Sequence, residues 1–173
     1  MDWYDTVFEL IDMRSFSNLW YWIAVAVLWS TASHWILGVP FDLVQRAGRH
    51  GGQAETDLED LIRINLNRIL YVMSQSGHWL IALIAALLTS LVTLGFWYDF
   101  EFAQAVFFLA FPMSIIGLLN VWTGRRIQAR SAQGELLRKI LSRHRMATQV
   151  IGMISIFITG LFGMAQNMLV VGW

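Results

Sequence analysis

The sequence contains no cysteine among its 173 residues. This absence excludes disulfide bonds, covalent c-type haem attachment, iron–sulfur ligation by thiolates and thiol catalysis within the chain. Charged residues are also scarce, at 14% of the total. With a mean hydropathy of +0.54, the chain has too little polar sequence to cover the surface of a soluble protein.

Several motifs of enzymes and nucleic-acid-binding proteins are absent as well. The chain has no glycine-rich phosphate-binding loop, no HExxH or GxSxG motif, and no paired carboxylates within its apolar segments. Its basic loops lack the interleaved aromatic residues that are typical of nucleic-acid binding. We therefore expect neither an enzyme nor a nucleic-acid-binding protein.

Four apolar segments are each long enough to cross a membrane as helices, which takes about 20 residues for ~30 Å of hydrocarbon. They are residues 19–37, 79–98, 102–122 and 146–171. A helix satisfies its own backbone hydrogen bonds and is therefore the expected conformation in lipid. The sequence predicts an all-α integral membrane protein, in which four transmembrane helices form a bundle within a single membrane domain, residues 1–173.

The basic residues are concentrated in two loops. Of the 12 Lys and Arg residues, four lie in residues 39–68 and seven in residues 123–145, which leaves Arg14 alone elsewhere. Basic loops stay on the cytoplasmic side of a membrane. We therefore expect a multi-pass protein of the bacterial inner membrane, with both loops in the cytoplasm and both termini on the periplasmic side.

The first 17 residues are acidic, whereas a cleavable signal peptide begins with a basic region. Apolar residues recur there at helical spacing and form one face: Trp3, Tyr4, Val7, Phe8 and Ile11. The pattern predicts an N-terminal amphipathic helix on the outer face of the membrane, over residues 1–17. Such a helix lies either on the membrane surface or against a partner.

Each basic loop contains a short amphipathic helix of its own, Glu55 to Arg68 and Glu135 to Arg145. These cytoplasmic helices either lie along the inner headgroup layer or continue into the following spans. Residues 60–68 and 135–143 are identical at four of nine positions. This similarity predicts either two hairpins related by an internal repeat or a chance likeness between two basic helices.

Small or polar residues recur at a spacing of about four in every span. The four stripes are Ala26, Ser30 and His34; Ser74, His78, Ala82, Ala86 and Ser90; Ala110, Ser114 and Gly117; and Ser155, Thr159, Gly163 and Asn167. Small residues let helix backbones approach closely in lipid, so we expect the stripes to face inward. Trp29 is expected to be a packing residue. Five polar residues are expected to form hydrogen bonds between helices: Gln104, Asn120, Gln149, Gln166 and Asn167.

His34 and His78 are the candidate ligands of the chain. They occur in similar settings, Ser33-His34-Trp35 and Gly77-His78-Trp79, towards the inner ends of consecutive antiparallel helices. Two imidazoles at matched depth could ligate haem b, bind a metal or pass a proton. The spans offer no third ligand and no carboxylate, which favours a structural role. We therefore expect no cofactor, with haem b as the alternative.

Four stretches of the sequence carry a resemblance to a known group of proteins. They are MDWYDTVFELIDMRSFSNLWYWIAVAVLW at the N-terminus, PFDLV after the first span, DLEDLIRINLNR, and GFWYDFEFAQAVFFLAFPMS. These stretches resemble small bacterial inner-membrane proteins that are sometimes labelled "component of SufBCD complex". The label implies an association with iron–sulfur cluster assembly, and the resemblance assigns no functional residue.

The favoured function is a non-enzymatic accessory, scaffold or assembly subunit of a larger bacterial inner-membrane complex. The expected partners are membrane lipids and either other integral membrane proteins or copies of the same chain. One alternative is a homo-oligomeric channel or transporter, with the stripe from Ser155 to Asn167 around a pore. The other is a b-type haem redox protein that uses His34 and His78.

Overall fold

The protein is described by a computed structural model that covers Phe16 and residues 18–171, without the side chains of residues 167 and 169–171. Five α-helices and one small hairpin make up this part. The helices are α1 Leu19–His34, α2 Phe41–His50, α3 Gln53–Val92, α4 Glu101–Ala129 and α5 Gly134–Val171, and the strands are β1 Trp35–Ile36 and β2 Val39–Pro40. The predicted amphipathic helix of residues 1–17 lies outside the described residues, apart from Phe16.

Three helical segments in the described part are long and apolar enough to cross a membrane: Gln53–Trp97, Glu101–Ala129 and Gly134–Gln166. The expectation of a helical membrane protein is therefore confirmed. Helix α1 has only 16 residues, a length of about 24 Å at 1.5 Å per residue. It ends at His34 rather than at Leu37. The described residues therefore confirm three spans, and the bundle of four stays a prediction.

Helix α1 ends where the chain reverses direction. Strands β1 and β2 pair antiparallel, with Ile36 opposite Val39. The two residues between them, Leu37 and Gly38, have φ angles of 52° and 77°, and positive φ at both positions is the feature of the type I′ turn. Leu37 is an unusual residue for this conformation, but its side chain is only 2% exposed and packs into the core.

The amphipathic segments of the basic loops are the first parts of α3 and α5. Each helix continues without a break into its apolar segment, so helices that lie along the headgroup layer are the wrong alternative. Helix α3 has 40 residues and α5 has 38, about 60 and 57 Å in length. Both extend well beyond ~30 Å of hydrocarbon. We call the end with these extensions the basic end, and the end with Asp99 and Glu101 the acidic end.

The larger hydrophobic core lies at the basic end. It joins the hairpin, α2, the first part of α3, the end of α4, the loop after it and the first part of α5. Its buried residues, which we call the basic-end core, are Ile36, Leu37, Val39, Val44, Ala47, Leu58, Ile62, Leu66, Ile127, Ala132, Leu137, Ile140 and Leu141. In the predicted repeat, Ile62 corresponds to Leu137 and Leu66 corresponds to Leu141. All four residues are buried in this core. The repeat itself stays a prediction.

A smaller core lies in the apolar part, where α1, α4 and α5 meet around Val25, Trp29 and Ile116. Trp29 is 5% exposed, which confirms it as a packing residue. Helix α3 packs along α4. Only 6% of its most apolar stretch is buried, compared with 28% for α4 and for α5. Helix α3 therefore stands at the edge of the helical assembly, with most of its surface uncovered.

Gln104 fixes the turn between α3 and α4 at the acidic end. Helix α3 continues into a π-helical turn, Thr93–Trp97. The Gln104 amide donates to the Gly95 carbonyl of this turn at 2.7 Å and to Asp99 at 3.1 Å. Its oxygen accepts from the Gln166 amide at 3.0 Å. The expected interhelical hydrogen bonds of Gln104 and Gln166 are confirmed, and they connect α3, α4 and α5. Gln149, for which the same was expected, is exposed.

We expect Gln104→Leu to lower the free energy of unfolding by about 1–2 kcal/mol, because the Gly95 carbonyl and the Gln166 amide lose a partner in apolar surroundings. Gln149→Leu, at an exposed position of α5, is the control and should change stability little. Thermal unfolding of the detergent-solubilised variants measures both. Equal losses in the two variants would contradict this role of Gln104.

Candidate functional site

The two histidines predicted as candidate ligands lie in different surroundings. His34 is the last residue of α1, with its ring 3.9 Å from the Asp42 carboxylate. His78 is exposed on α3. The hairpin after His34 meets α3 at Asn65, whose amide donates to the Gly38 carbonyl at 3.2 Å. His78 is thirteen residues further along that helix, about 20 Å away.

Among the described residues, no three or more His, Asp or Glu side chains are grouped so that they could hold a metal ion. His34 has one acidic neighbour, the Asp42 carboxylate. The side chains of His34 and Asp42 are both largely exposed. An exposed ion pair of this kind contributes little to stability.

The described side chains of the α5 stripe face inward, as expected. Ser155 and Thr159 are 9% and 2% exposed, and the Ser155 hydroxyl donates to the Phe108 carbonyl of α4 at 3.4 Å. Gly163 is buried, and a Cβ at that position would lie 3.2 Å from the Cβ of Phe16. On α5, the small residues of the stripe therefore lie where other parts of the chain pack against the helix.

The stripes on α1 and α3 face outward, so the expectation that all stripes point into the bundle is wrong for these two. On α1, Ala26 and Ser30 are exposed, and the buried positions are the large side chains of Val25 and Trp29. On α3, all five positions of the stripe are exposed: Ser74, His78, Ala82, Ala86 and Ser90. We call these five residues the α3 stripe.

The α3 stripe lies on the side of α3 that points away from the rest of the chain. The more buried side of the helix carries Gly77, Leu80 and Leu91. Successive residues of an α-helix are separated by about 100° around its axis. Ala82 and Ala86 are therefore turned by roughly 140° to 180° from that buried side. No helix of the described part covers them.

Two acidic residues of α3 hold the start of α5 at the basic end. Glu55 forms an ion pair with Arg138. Glu59 accepts a hydrogen bond at 2.7 Å from the backbone N–H of Gly134, the first residue of α5. A carboxylate at this position also interacts favourably with the helix dipole. The two long helices are therefore joined by charged contacts as well as by the basic-end core.

A cleft of about 290 Å³ lies beside this contact, lined by polar and apolar side chains of α3, α4, the α4–α5 loop and α5. Its charged side chains already have partners within the protein. Arg63 pairs with Asp60 at 2.9 Å, and Glu59 is bonded to Gly134. These contacts leave the three side chains little free capacity for a ligand, and we do not assign the cleft as a binding site.

His144 is a buried imidazole that the sequence did not single out. It is 5% exposed, and its Nδ1 lies 2.9 Å from the Thr123 hydroxyl of α4. It precedes the apolar segment of α5, residues 146–171. Continuing the α5 stripe backwards from Ser155 at helical spacing reaches Thr148 and His144, so the sequence did hold a signal for it.

Beside His144, α4 and α5 each contribute an arginine to a small cavity of about 80 Å³. The Arg126 guanidinium lies over the Trp122 ring, 5.2 Å from its centroid, at a distance typical of a cation–π contact. Arg143 lines the cavity from α5. In the part of the chain that the structure describes, neither arginine pairs with a carboxylate. Their proximity depends on how α4 meets α5, which the sequence pattern does not give.

No protein-family model, curated protein or solved structure matches this chain. The resemblance to small inner-membrane proteins therefore stays a prediction. Function has to be inferred from the residues and from their arrangement.

Proposed function

We propose that this chain is a non-enzymatic accessory or scaffold subunit of a larger complex in the bacterial inner membrane. Its basic end lies in the cytoplasm, and another integral membrane protein docks a transmembrane helix on the α3 stripe. The observation that carries the proposal is the exposure of all five residues of that stripe.

The composition of the α3 stripe favours a protein partner over lipid. Lipid chains are as apolar as leucine and gain nothing from alanine or serine, whereas small residues let a second helix approach closely. The α5 stripe of the same protein has a similar composition and is buried against other helices. An exposed stripe of this kind is therefore best explained by a helix that comes from outside the chain.

The two alternatives rest on residues whose surroundings do not favour them. A pore lined by the α5 stripe needs Ser155 and Thr159 on an outer surface, but both are buried within the chain. A haem held by His34 and His78 needs both rings on one iron, but the two side chains have different surroundings. The accessory function requires neither arrangement.

The test is site-specific photo-crosslinking in native bacterial membranes. A photoreactive amino acid replaces Ala86 in one variant and Ala82 in another. The controls carry it at Ile81 or Leu87, which are 53% and 48% exposed on the same part of α3 but lie about 100° or more from the centre of the stripe. Crosslinked products are identified by mass spectrometry.

We expect one membrane protein other than this chain to be captured from the two stripe positions, and little or none of it from the control positions. Ala82→Leu combined with Ala86→Leu should also abolish co-purification of that protein. Capture of a second copy of the chain would instead support a homo-oligomer. Capture of lipid alone from all four positions would overturn the proposal.

A further inference from the structure

The groove between α4 and α5 has a charged end and an apolar end. At the basic end, Arg126 and Arg143 line a small cavity and have no acidic partner among the described residues. Deeper in the membrane part, the same two helices enclose a second cavity of about 360 Å³, lined almost entirely by apolar side chains. We propose that this groove binds one anionic phospholipid from the leaflet at the basic end.

The two cavities lie on one continuous face of each helix. On α4, the lining residues that connect them are Ile115, Leu119, Trp122 and Arg126; on α5, they are Arg143, Ala147, Ile151 and Ile154. Successive members of both sets are three or four residues apart, and residues at this spacing share one side of a helix. A single elongated ligand can therefore contact the arginines with one end and the apolar cavity with the other.

The dimensions of the groove fit one lipid leaflet. Trp122 is 59% exposed and has the amphipathic ring that prefers the headgroup level. Phe111, which lines the apolar cavity, is eleven residues away on α4, about 16 Å along the helix. Half of a ~30 Å hydrocarbon core is about 15 Å. An acyl chain that starts near Trp122 therefore ends inside the apolar cavity.

The charged end is complementary to a phosphate. Two arginines line the cavity from different helices, and guanidinium forms strong, often bidentate, hydrogen bonds with phosphate oxygens. The cation–π contact with Trp122 holds the Arg126 side chain at the cavity. Basic pockets between transmembrane helices are known sites for anionic headgroups. A zwitterionic headgroup would instead bring its own cation close to the two arginines, and the repulsion between like charges would offset the attraction of its phosphate.

The experiment counts lipids on the purified protein by native mass spectrometry. Detergent micelles contain equal amounts of phosphatidylglycerol and phosphatidylcholine, and the wild type is compared with the double variant Arg126→Gln/Arg143→Gln. The matched control is Arg125→Gln/Arg130→Gln, which removes the same charge from exposed positions of the same region. Gel filtration and circular dichroism establish that each variant is folded.

We expect the wild type to retain one phosphatidylglycerol per chain in preference to phosphatidylcholine. The pocket variant should bind it about tenfold more weakly, because it loses both charge-assisted contacts, while the control variant keeps it. Arg126→Lys/Arg143→Lys should restore part of the binding. Equal retention of the two lipids by the wild type, or equal losses in the pocket and control variants, would overturn the proposal.

Two further arms separate a lipid from a free anion. Ile115→Phe combined with Ile154→Phe fills the apolar cavity and should weaken lipid retention, whereas Leu118→Phe, outside the cavity and 60% exposed, should not. A large excess of inorganic phosphate should leave the bound lipid in place. If phosphate displaces the lipid and the cavity-filling variant retains it, the arginines bind a soluble anion and the lipid assignment is wrong.

Discussion

Leu141→Ala should destabilise the basic end of the molecule by about 2–5 kcal/mol, the range for removing a large aliphatic side chain from a close-packed core. Leu141 is 0% exposed and packs in the basic-end core with Leu58 and Ile62. The substitution leaves a cavity at the place where α3 and α5 meet. Hydrogen exchange of residues 53–68, together with thermal unfolding, measures the loss.

Leu136→Ala provides the matched control for this prediction. Leu136 is the same residue type on the same helix, but its side chain is 43% exposed. Removing it should change stability by less than about 0.5 kcal/mol, as is usual for surface positions. If both variants lost stability to the same extent, the basic-end core would not be the structure that holds the two long helices together.

Gly152→Ala should separate α1 from α5 and destabilise the protein by about 1–3 kcal/mol, the usual cost of adding an atom to a filled core. A Cβ on Gly152 would lie 2.7 Å from Cε3 of Trp29. Because Trp29 is itself 5% exposed and packed against α4 and α5, its ring has little room to move away. Thermal unfolding of the variant in detergent gives the size of the effect.

Gly117→Ala tests whether the effect arises from the contact or from the residue type. Gly117 also lies inside a long helix, but a Cβ there would meet nothing within 4 Å. Alanine favours helix over glycine by about 0.5–1 kcal/mol, so this variant should be as stable as the wild type or slightly more stable. A similar loss in both glycine variants would rule out the Trp29 contact as the cause.

The sequence predicted which segments are helical more accurately than it predicted where the helices end and which helices they contact. Hydropathy located three of the spans, because apolar length is a local property of the chain. The end of α1 at His34 depends on Leu37, which takes a positive φ that leucine rarely adopts. Such a turn is stable because the Leu37 side chain is buried in the basic-end core, and that core is assembled from distant segments.

The sequence predicted the candidate site less accurately, because the site also depends on contacts between distant segments of the chain. Spacing identified the α3 stripe, but spacing alone does not tell whether a stripe faces its own chain or a partner. Arg126 and Arg143 belong to one basic segment of the sequence, residues 123–145. Their meeting across a cavity requires α4 and α5 to reverse direction around residues 130–133. The burial of His144 is hard to predict, because the residue stands in a run of basic residues, a pattern that is typical of an exposed surface.

The basic-end core can be completed only late in synthesis, because its members are far apart in the sequence. Its members extend from Ile36 to Leu141, and most of α4 lies in the sequence between the members on α3 and those on α5. A nascent chain emerges N-terminus first, so the apolar face of α3 at Leu58, Ile62 and Leu66 is made well before α5 exists to cover it. Until translation passes Leu141, that face has to be shielded by the lipid surface or by a chaperone. Among the described elements, helix α5 is therefore synthesised last, and it completes the basic-end core.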